Sequence, residues 1–104
     1  MQGLKRTCYC GEVTPDMTDA VVCGWTARVR DKGGIVFIDL RDRSGIVQLV
    51  FDENTEKSVF EKAKTVRGED VLAVKGTVRE RESVNSEIKT GGIEIVVSDL
   101  RILT

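Results

Sequence analysis

Cations, an aromatic ring and an amide alternate with apolar residues in the central part of the chain. Arg28 and Arg30 lie in one alternating run, Phe37 and Arg41 in the next, and Gln48 in a third. Residues two positions apart on an extended strand share a face. If the more apolar side of each run points inward, these five side chains occupy one outer surface. Such a set of groups can stack on unpaired nucleotides and read their edges.

The strands that would carry these side chains lie between Ala20 and Phe51. The alternation predicts three strands joined by short turns at residues 31–34 and 42–45, and therefore an antiparallel meander. The residues expected to face inward are Val21, Cys23, Trp25, Ala27 and Val29, then Val36, Ile38 and Leu40, then Val47, Leu49 and Phe51. A slip of one residue in the second strand would exchange its faces and place Phe37 in the core.

The hydrophobic period changes after the third strand. Apolar residues recur with helical spacing between residues 52 and 67, and Gly68 is the expected end of that helix. The apolar stripe and the candidate N-caps are Val59, Phe60, Ala63 and Val66, and Asp52 or Asn54. The pattern predicts two further strands at residues 71–81 and 93–98, and a polar loop that contains Asn85 joins them. This order predicts an all-β fold, a five-stranded antiparallel OB-fold barrel with one helix between strands three and four.

Composition limits the classes of function. The 104 residues fit one domain, and 16 basic against 17 acidic residues leave a net charge of −1, so any electrostatic footprint for nucleic acid must be local. The three cysteines, Cys8, Cys10 and Cys23, are an odd number, which favours a reducing compartment over a disulfide framework. Without histidine they do not complete a four-ligand zinc site, and no metal site is expected. The chain shows no signal peptide and no apolar run of membrane-spanning length, so we expect a cytoplasmic protein.

Several motifs extend through nearly the whole chain. They are Arg6 to Glu12 (RTCYCGE), Gly24-Trp25, Arg28 to Asp31 (RVRD), Gly33 to Gln48 (GGIVFIDLRDRSGIVQ), Gly76 to Arg79 (GTVR) and Gly91 to Ile95 (GGIEI). With these motifs the chain resembles the N-terminal anticodon-binding domain of bacterial-type class II aspartyl-tRNA synthetases. The related lysyl and asparaginyl domains share the barrel but lack this combination.

The resemblance implies a role for individual side chains. It implies that Phe37 stacks on an anticodon base and that Gln48 reads the middle uridine of the aspartate anticodon GUC. Arg30 offers a fork of donors that suits a pyrimidine carbonyl or a phosphate. Asn85 and Glu94 match positions that lie near the bases in the family.

Three further basic residues are expected to support binding. Arg28 and Arg41 are expected to contact the RNA backbone, which positions the RNA without specifying its sequence. Lys32 lies in the loop that borders the first anticodon base in the family. Some bacterial members charge both aspartate and asparagine tRNAs, and the residues here leave both types open.

The resemblance also implies a longer parent protein. We expect residues 1–104 to be one OB-fold domain of an aspartate–tRNA ligase whose catalytic domain, with its ATP and Mg²⁺, lies outside this sequence. Nothing in the chain resembles class II catalytic motifs, so the chain alone is expected to bind tRNA without cofactors and without catalysis. The isolated domain is expected to be a monomer and the parent a homodimer. A stand-alone module for single-stranded nucleic acid and a protein-interaction OB domain remain as alternatives.

Overall fold

Five strands form a closed barrel in the computed structural model, which describes residues 6–82, 84–87 and 90–103. A short 3₁₀ helix (Cys10–Glu12) precedes β1 (Ala20–Asp31), β2 (Val36–Asp42), β3 (Gly45–Phe51), α1 (Lys57–Ala63), β4 (Val71–Glu80) and β5 (Ile93–Ile102). The strands follow one another around the barrel in the order β1, β2, β3, β5, β4. The predicted barrel with a helix between its third and fourth strands is confirmed.

One strand pairing differs from the expected antiparallel arrangement. β3 runs parallel to β5, with Gln48 beside Glu94, whereas the other four neighbouring pairs are antiparallel. The reason is topological, because the chain crosses the barrel through α1 and β4 before β5 closes it against β3. This parallel contact brings the middle of β3 next to the start of β5.

The inward faces of β2 to β5 agree with the alternation in the sequence. The fully buried large side chains include Ile38, Leu40, Leu49, Phe51, Leu72, Ile95 and Leu100. Val59, Ala63 and Val66 close the same core from the helical segment. The hydrophobic effect therefore acts on one continuous cluster at the barrel centre.

The first half of β1 has the opposite facing from the prediction. Val22 and Thr26 are buried on the core side, while Trp25 is 39% exposed and pairs with Arg41 on the outer side. The pairing register shifts between Thr26 and Arg28, which marks a β-bulge. A bulge adds one residue and reverses the alternation beyond it, so faces inferred from Arg28 onward do not extend back to Trp25. The expectation that Trp25 packs in the barrel is wrong, and Ala27 and Val29, which were also expected to face inward, are exposed.

The helix is shorter than the periodic segment. α1 begins at Lys57, and Asp52 instead organises a preceding turn in which its Oδ1 accepts the Asn54 N–H at 2.9 Å. No side chain caps the helix N-terminus, so neither predicted cap is used. The helix ends at Ala63, five residues before Gly68, and the apolar stripe continues through turns. No helix in the described part of the chain is long and apolar enough to span a membrane.

Hydrogen bonds to Asp42 fasten the N-terminal segment to the β2–β3 hairpin. Asp42 Oδ2 accepts the Cys10 N–H at 2.8 Å, and Oδ1 accepts the Ser44 N–H and hydroxyl at 2.8 and 2.6 Å. Burial raises the pKa of Asp42, but these hydrogen bonds outweigh it, so the pKa lies below its ordinary value. Gly11 donates its N–H to the Ser44 hydroxyl at 2.8 Å, which completes the attachment.

Candidate nucleic-acid interface

One row of polar side chains crosses the outer face of the barrel. Pairing places Arg28 beside Asp39, Asp39 beside Gln48, Gln48 beside Glu94, and Glu94 beside Arg79. Paired residues on neighbouring strands point to the same side of a sheet. Four different strand contacts are therefore needed to assemble the row, including the parallel contact between β3 and β5.

Hydrogen bonds join the side chains of this row other than Arg28, together with Arg30, into a continuous network. Arg30 Nη2 donates to Asp39 Oδ1 at 3.1 Å and to Gln48 Oε1 at 2.9 Å. Gln48 Nε2 donates to Glu94 Oε1 at 2.8 Å, and Arg79 Nε donates to Glu94 Oε2 at 2.7 Å. The exposed fractions of Gln48 and Glu94 are only 4% and 7%, and buried polar groups of this kind require such partners.

Phe37 lies beside this network on the same outer face. Its neighbours across the strands are Arg30 and Val50, and the Arg30 guanidinium carbon lies 5.7 Å from the centre of the ring. The ring is half-buried, so part of it is open to a ligand. The strand register therefore excludes the one-residue slip that would have put Phe37 in the core.

A cleft of about 500 Å³ opens over the ring and the network. The predicted site residues that line it are Arg30, Lys32, Phe37, Gln48 and Glu94. Arg30 Nε at this cleft is the one buried side-chain polar atom without a hydrogen-bond partner among the described residues. An unpartnered buried donor costs free energy, so the side chain of Arg30 is not fully satisfied by the protein.

The other three predicted residues lie outside the cleft lining. Asn85 is exposed in the β4–β5 loop, where its Oδ1 accepts the Glu87 N–H at 3.0 Å. Arg28 is exposed at the end of the polar row, beyond Asp39. Arg41 is exposed further along β2 and lines a second concavity at the β2–β3 hairpin.

Sequence reasoning missed three residues that shape the cleft. Arg79 and Arg81 line it from the end of β4, and Asp39 holds Arg30 through the ion pair described above. The signal for Arg79 was its outward position on the fourth strand, which becomes informative once β5 is known to lie between β3 and β4. Asp39 was available as the outward residue between Phe37 and Arg41, with Arg30 as a partner on the neighbouring strand.

The described residues contain no group of three or more histidine, cysteine or acidic side chains arranged to hold a metal ion. The cysteines illustrate this. Cys10 is buried, and burial raises the pKa of its thiol well above the ordinary value, which disfavours the thiolate that a metal would need.

Comparison with known families identifies the type of domain. The tRNA anticodon family model, described as an OB-fold nucleic acid binding domain, matches residues 20–103. The chain belongs to this family. The OB-fold prediction and the assignment to a nucleic-acid-binding class are thereby confirmed.

Curated relatives match the chain along its whole length. It is 56% identical over 106 residues to an aspartate–tRNA(Asp/Asn) ligase of Caldanaerobacter subterraneus subsp. tengcongensis, with 98% of this chain covered. It is 45% identical over 106 residues to an aspartate–tRNA ligase of Clostridium tetani, with 100% covered. The chain spans 18% of the length of both relatives. These matches confirm the resemblance to the anticodon-binding domain of aspartyl-tRNA synthetases.

Solved structures of the same OB-fold family superpose closely. An OBody bound to hen egg-white lysozyme gives a TM-score of 0.85 at 30% identity and covers 96% of this chain and 94% of that one. Asparaginyl-tRNA synthetase from Pyrococcus horikoshii gives a TM-score of 0.76 at 30% identity, covering 93% of this chain and 22% of that chain.

Proposed function

We propose that this domain binds the anticodon loop of an aspartate tRNA on behalf of a longer aspartate–tRNA ligase. The observation that carries the proposal is the cleft in which an accessible ring lies beside a pre-formed network of base-reading groups. In this proposal the parent protein supplies ATP, Mg²⁺ and catalysis from another domain, and the present domain supplies selection of the tRNA.

Phe37 is the stacking platform in this proposal. Every base has a π-face, so stacking on the ring contributes about 1–3 kcal/mol with little dependence on base identity. Arg30 lies beside the ring and can engage a base oxygen or a phosphate through guanidinium hydrogens that Asp39 and Gln48 do not use. The two residues together would hold a base in the cleft before its edge is read.

Gln48 and Glu94 provide base identity. Gln48 uses one oxygen lone pair on Arg30 and one amide hydrogen on Glu94, so one acceptor site and one donor hydrogen remain. This pair suits the edge of the middle uridine, which offers a carbonyl and an N–H. Glu94 accepts hydrogen bonds only, so it suits a base with an amino group, such as guanine.

We further propose that the domain accepts both GUC and GUU anticodons. Relatives at 53% and 56% identity are named aspartate–tRNA(Asp/Asn) ligases, whereas the relative at 45% is named an aspartate–tRNA ligase. The first two anticodon bases are common to GUC and GUU. Recognition of a guanine by Glu94 and of the uridine by Gln48 would therefore serve both tRNAs.

The test is a titration of the domain with anticodon stem-loops at one fixed salt concentration, because phosphate contacts make affinity salt-dependent. The stem-loops carry GUC, GUU or a changed middle base. Similar affinity for GUC and GUU, with about 5- to 150-fold weaker binding after the middle-base change, is expected from the loss of about 1–3 kcal/mol. A strong preference for GUC would refute dual reading. Equal binding of all three would refute anticodon reading and favour a general single-strand binder.

A further inference from the structure

A second concavity lies at the β2–β3 hairpin, outside the base-reading cleft. Its volume is about 430 Å³, and its lining includes Arg41, Arg43, Ile46 and Thr90. Arg41 and Arg43 are exposed, and neither forms an ion pair with a carboxylate in the described part of the chain. Arginines presented in a concave surface are suited to phosphate oxygens.

Tyr9 contacts the guanidinium groups of Arg43, which lines this concavity, and of Arg6, which does not. Arg6 and Arg43 each donate an Nη2 hydrogen bond to the Tyr9 hydroxyl, at 3.1 and 2.5 Å. Their guanidinium carbons also lie 4.1 and 4.7 Å from the centre of the Tyr9 ring. Two like charges held on one ring repel each other, and a bound anion would relieve that repulsion.

One carboxylate, Asp42, belongs to the lining of this concavity, and its oxygens already accept hydrogen bonds. Both oxygens of Asp42 accept hydrogen bonds from the N-terminal segment and the hairpin, as described above. Glu12 Oε1 accepts the Tyr9 backbone N–H at 3.0 Å. The charged residues that line the concavity are therefore Arg41, Arg43 and Asp42, and the donors for an anionic ligand are on the two arginines.

The concavity lies next to the cleft over Phe37 and Gln48 along β3. Ile46 lines the concavity and Gln48 lines the cleft, and the two residues are two positions apart, or about 6.6 Å of strand. Arg41 pairs with Ile46, so the Arg41 side chain lies on the same outer face as the cleft. One strand of RNA could therefore occupy both depressions.

We propose that the concavity between Arg41 and Arg43 binds the phosphodiester backbone of the RNA whose bases enter the cleft. This inference rests on the proposed function, because it takes the RNA to be the ligand of the neighbouring cleft. The concavity would supply affinity that depends on salt and is independent of sequence, whereas the cleft would supply base identity. A protein partner could also use arginines, but the position next to the cleft on β3 favours RNA.

The test compares the salt dependence of stem-loop binding by the 104-residue chain. Arg41→Gln alone and Arg41→Gln/Arg43→Gln together are measured over a range of salt concentrations. The slope of log affinity against log salt should become shallower by about 1 for each arginine removed. The affinity ratio between the GUC stem-loop and the middle-base variant should stay the same.

Arg101→Gln is the matched control. Arg101 lies seven residues beyond Glu94 on β5, about 23 Å of strand away. Because β5 runs parallel to β3 and Glu94 lies beside Gln48, Arg101 is displaced along the strands in the direction opposite to Ile46. Its loss removes the same charge from the chain but should leave the slope unchanged. The Arg41 side chain donates no hydrogen bond within the described residues, so Arg41→Gln should fold normally. Thermal unfolding checks this.

The outcomes separate the two proposals. If folded Arg41→Gln and the double variant match Arg101→Gln in slope and affinity, the RNA-backbone proposal is wrong and a protein partner becomes the better explanation for the patch. If the wild-type chain binds all stem-loops equally, anticodon reading fails, but a shallower slope in the double variant would still support backbone binding. Arg43→Lys, which keeps the charge, should keep most of the slope.

Discussion

Truncation of Phe37 tests its proposed role in RNA binding separately from its contribution to folding. Phe37 is only partly exposed on the outer face, so truncation to alanine removes most of the roughly 1.5–3 kcal/mol that burial of a full phenylalanine contributes. Loss of the Arg30 contact adds about 0.5 kcal/mol. The expected loss in free energy of unfolding is therefore about 1.5–3 kcal/mol, or a melting temperature lower by roughly 6–24 °C. RNA affinity should fall about 5- to 150-fold, because stacking contributes about 1–3 kcal/mol per base.

Phe51 is the matched control within the same chain. It is 0% exposed at the barrel centre, so Phe51→Ala should cost about 3–5 kcal/mol of stability. Two further variants isolate the ring itself: Phe37→Tyr keeps the π-face and should bind, whereas Phe37→Leu keeps apolar volume and should not. Circular dichroism melts and fluorescence titration with the GUC stem-loop measure both quantities. The reasoning is refuted if Phe37→Ala is as unstable as Phe51→Ala, or if it folds and binds RNA like the wild type.

Three other variants test the network and the barrel. Gln48→Ala should reduce the affinity ratio between the GUC and middle-base-variant stem-loops more than it reduces affinity for GUC, and an unchanged ratio would exclude Gln48 as the reader. Gly76→Ala should lower the free energy of unfolding by about 1–3 kcal/mol, because the new Cβ would lie 2.3 Å from the Val96 oxygen, whereas Gly68→Ala meets nothing within 4 Å and should be neutral or stabilising in denaturant titrations. The lowered pKa of Asp42 adds stability above about pH 4, and this stability is lost as the pH falls through the pKa of the folded state. Asp42→Asn should therefore be less stable than the wild type at pH 7, and its stability should change less between about pH 4 and 2. An unchanged pH profile would contradict this.

The faces of β2 and β3 could be predicted from sequence because both strands are regular. The alternation from Val36 to Leu40 and from Val47 to Phe51 favours the register that buries three apolar side chains of each strand, and the structure has that register. The outward positions of Phe37 and Gln48 follow from it.

The faces of β1 were harder to predict, because a period-two pattern in the sequence does not reveal a bulge. Both faces of its first half carry apolar residues, so Val21, Cys23 and Trp25 compete with Ala20, Val22 and Thr26 for the core. Thr26 is buried because its hydroxyl donates to the Asp70 carbonyl at 3.1 Å, a partner 44 residues away that no local pattern can reveal. Tertiary contacts therefore determine which side chains of β1 face the core, even where the buried side chain is polar.

The hydrogen-bonded network around Gln48 and Glu94 could not be predicted because its contacts depend on barrel closure. Gln48 and Glu94 are 46 residues apart and meet only where β5 runs parallel to β3, and Arg79 joins them from β4. In the closed barrel both side chains are nearly fully buried and hydrogen-bonded before any ligand arrives. Side chains already held in one conformation lose little further entropy on binding, so more of each base contact appears as affinity and discrimination. The buried network that stabilises the junction between β3 and β5 is thus also the feature that would make the surface selective, and Asp39, by holding Arg30, belongs to it as a positioning residue.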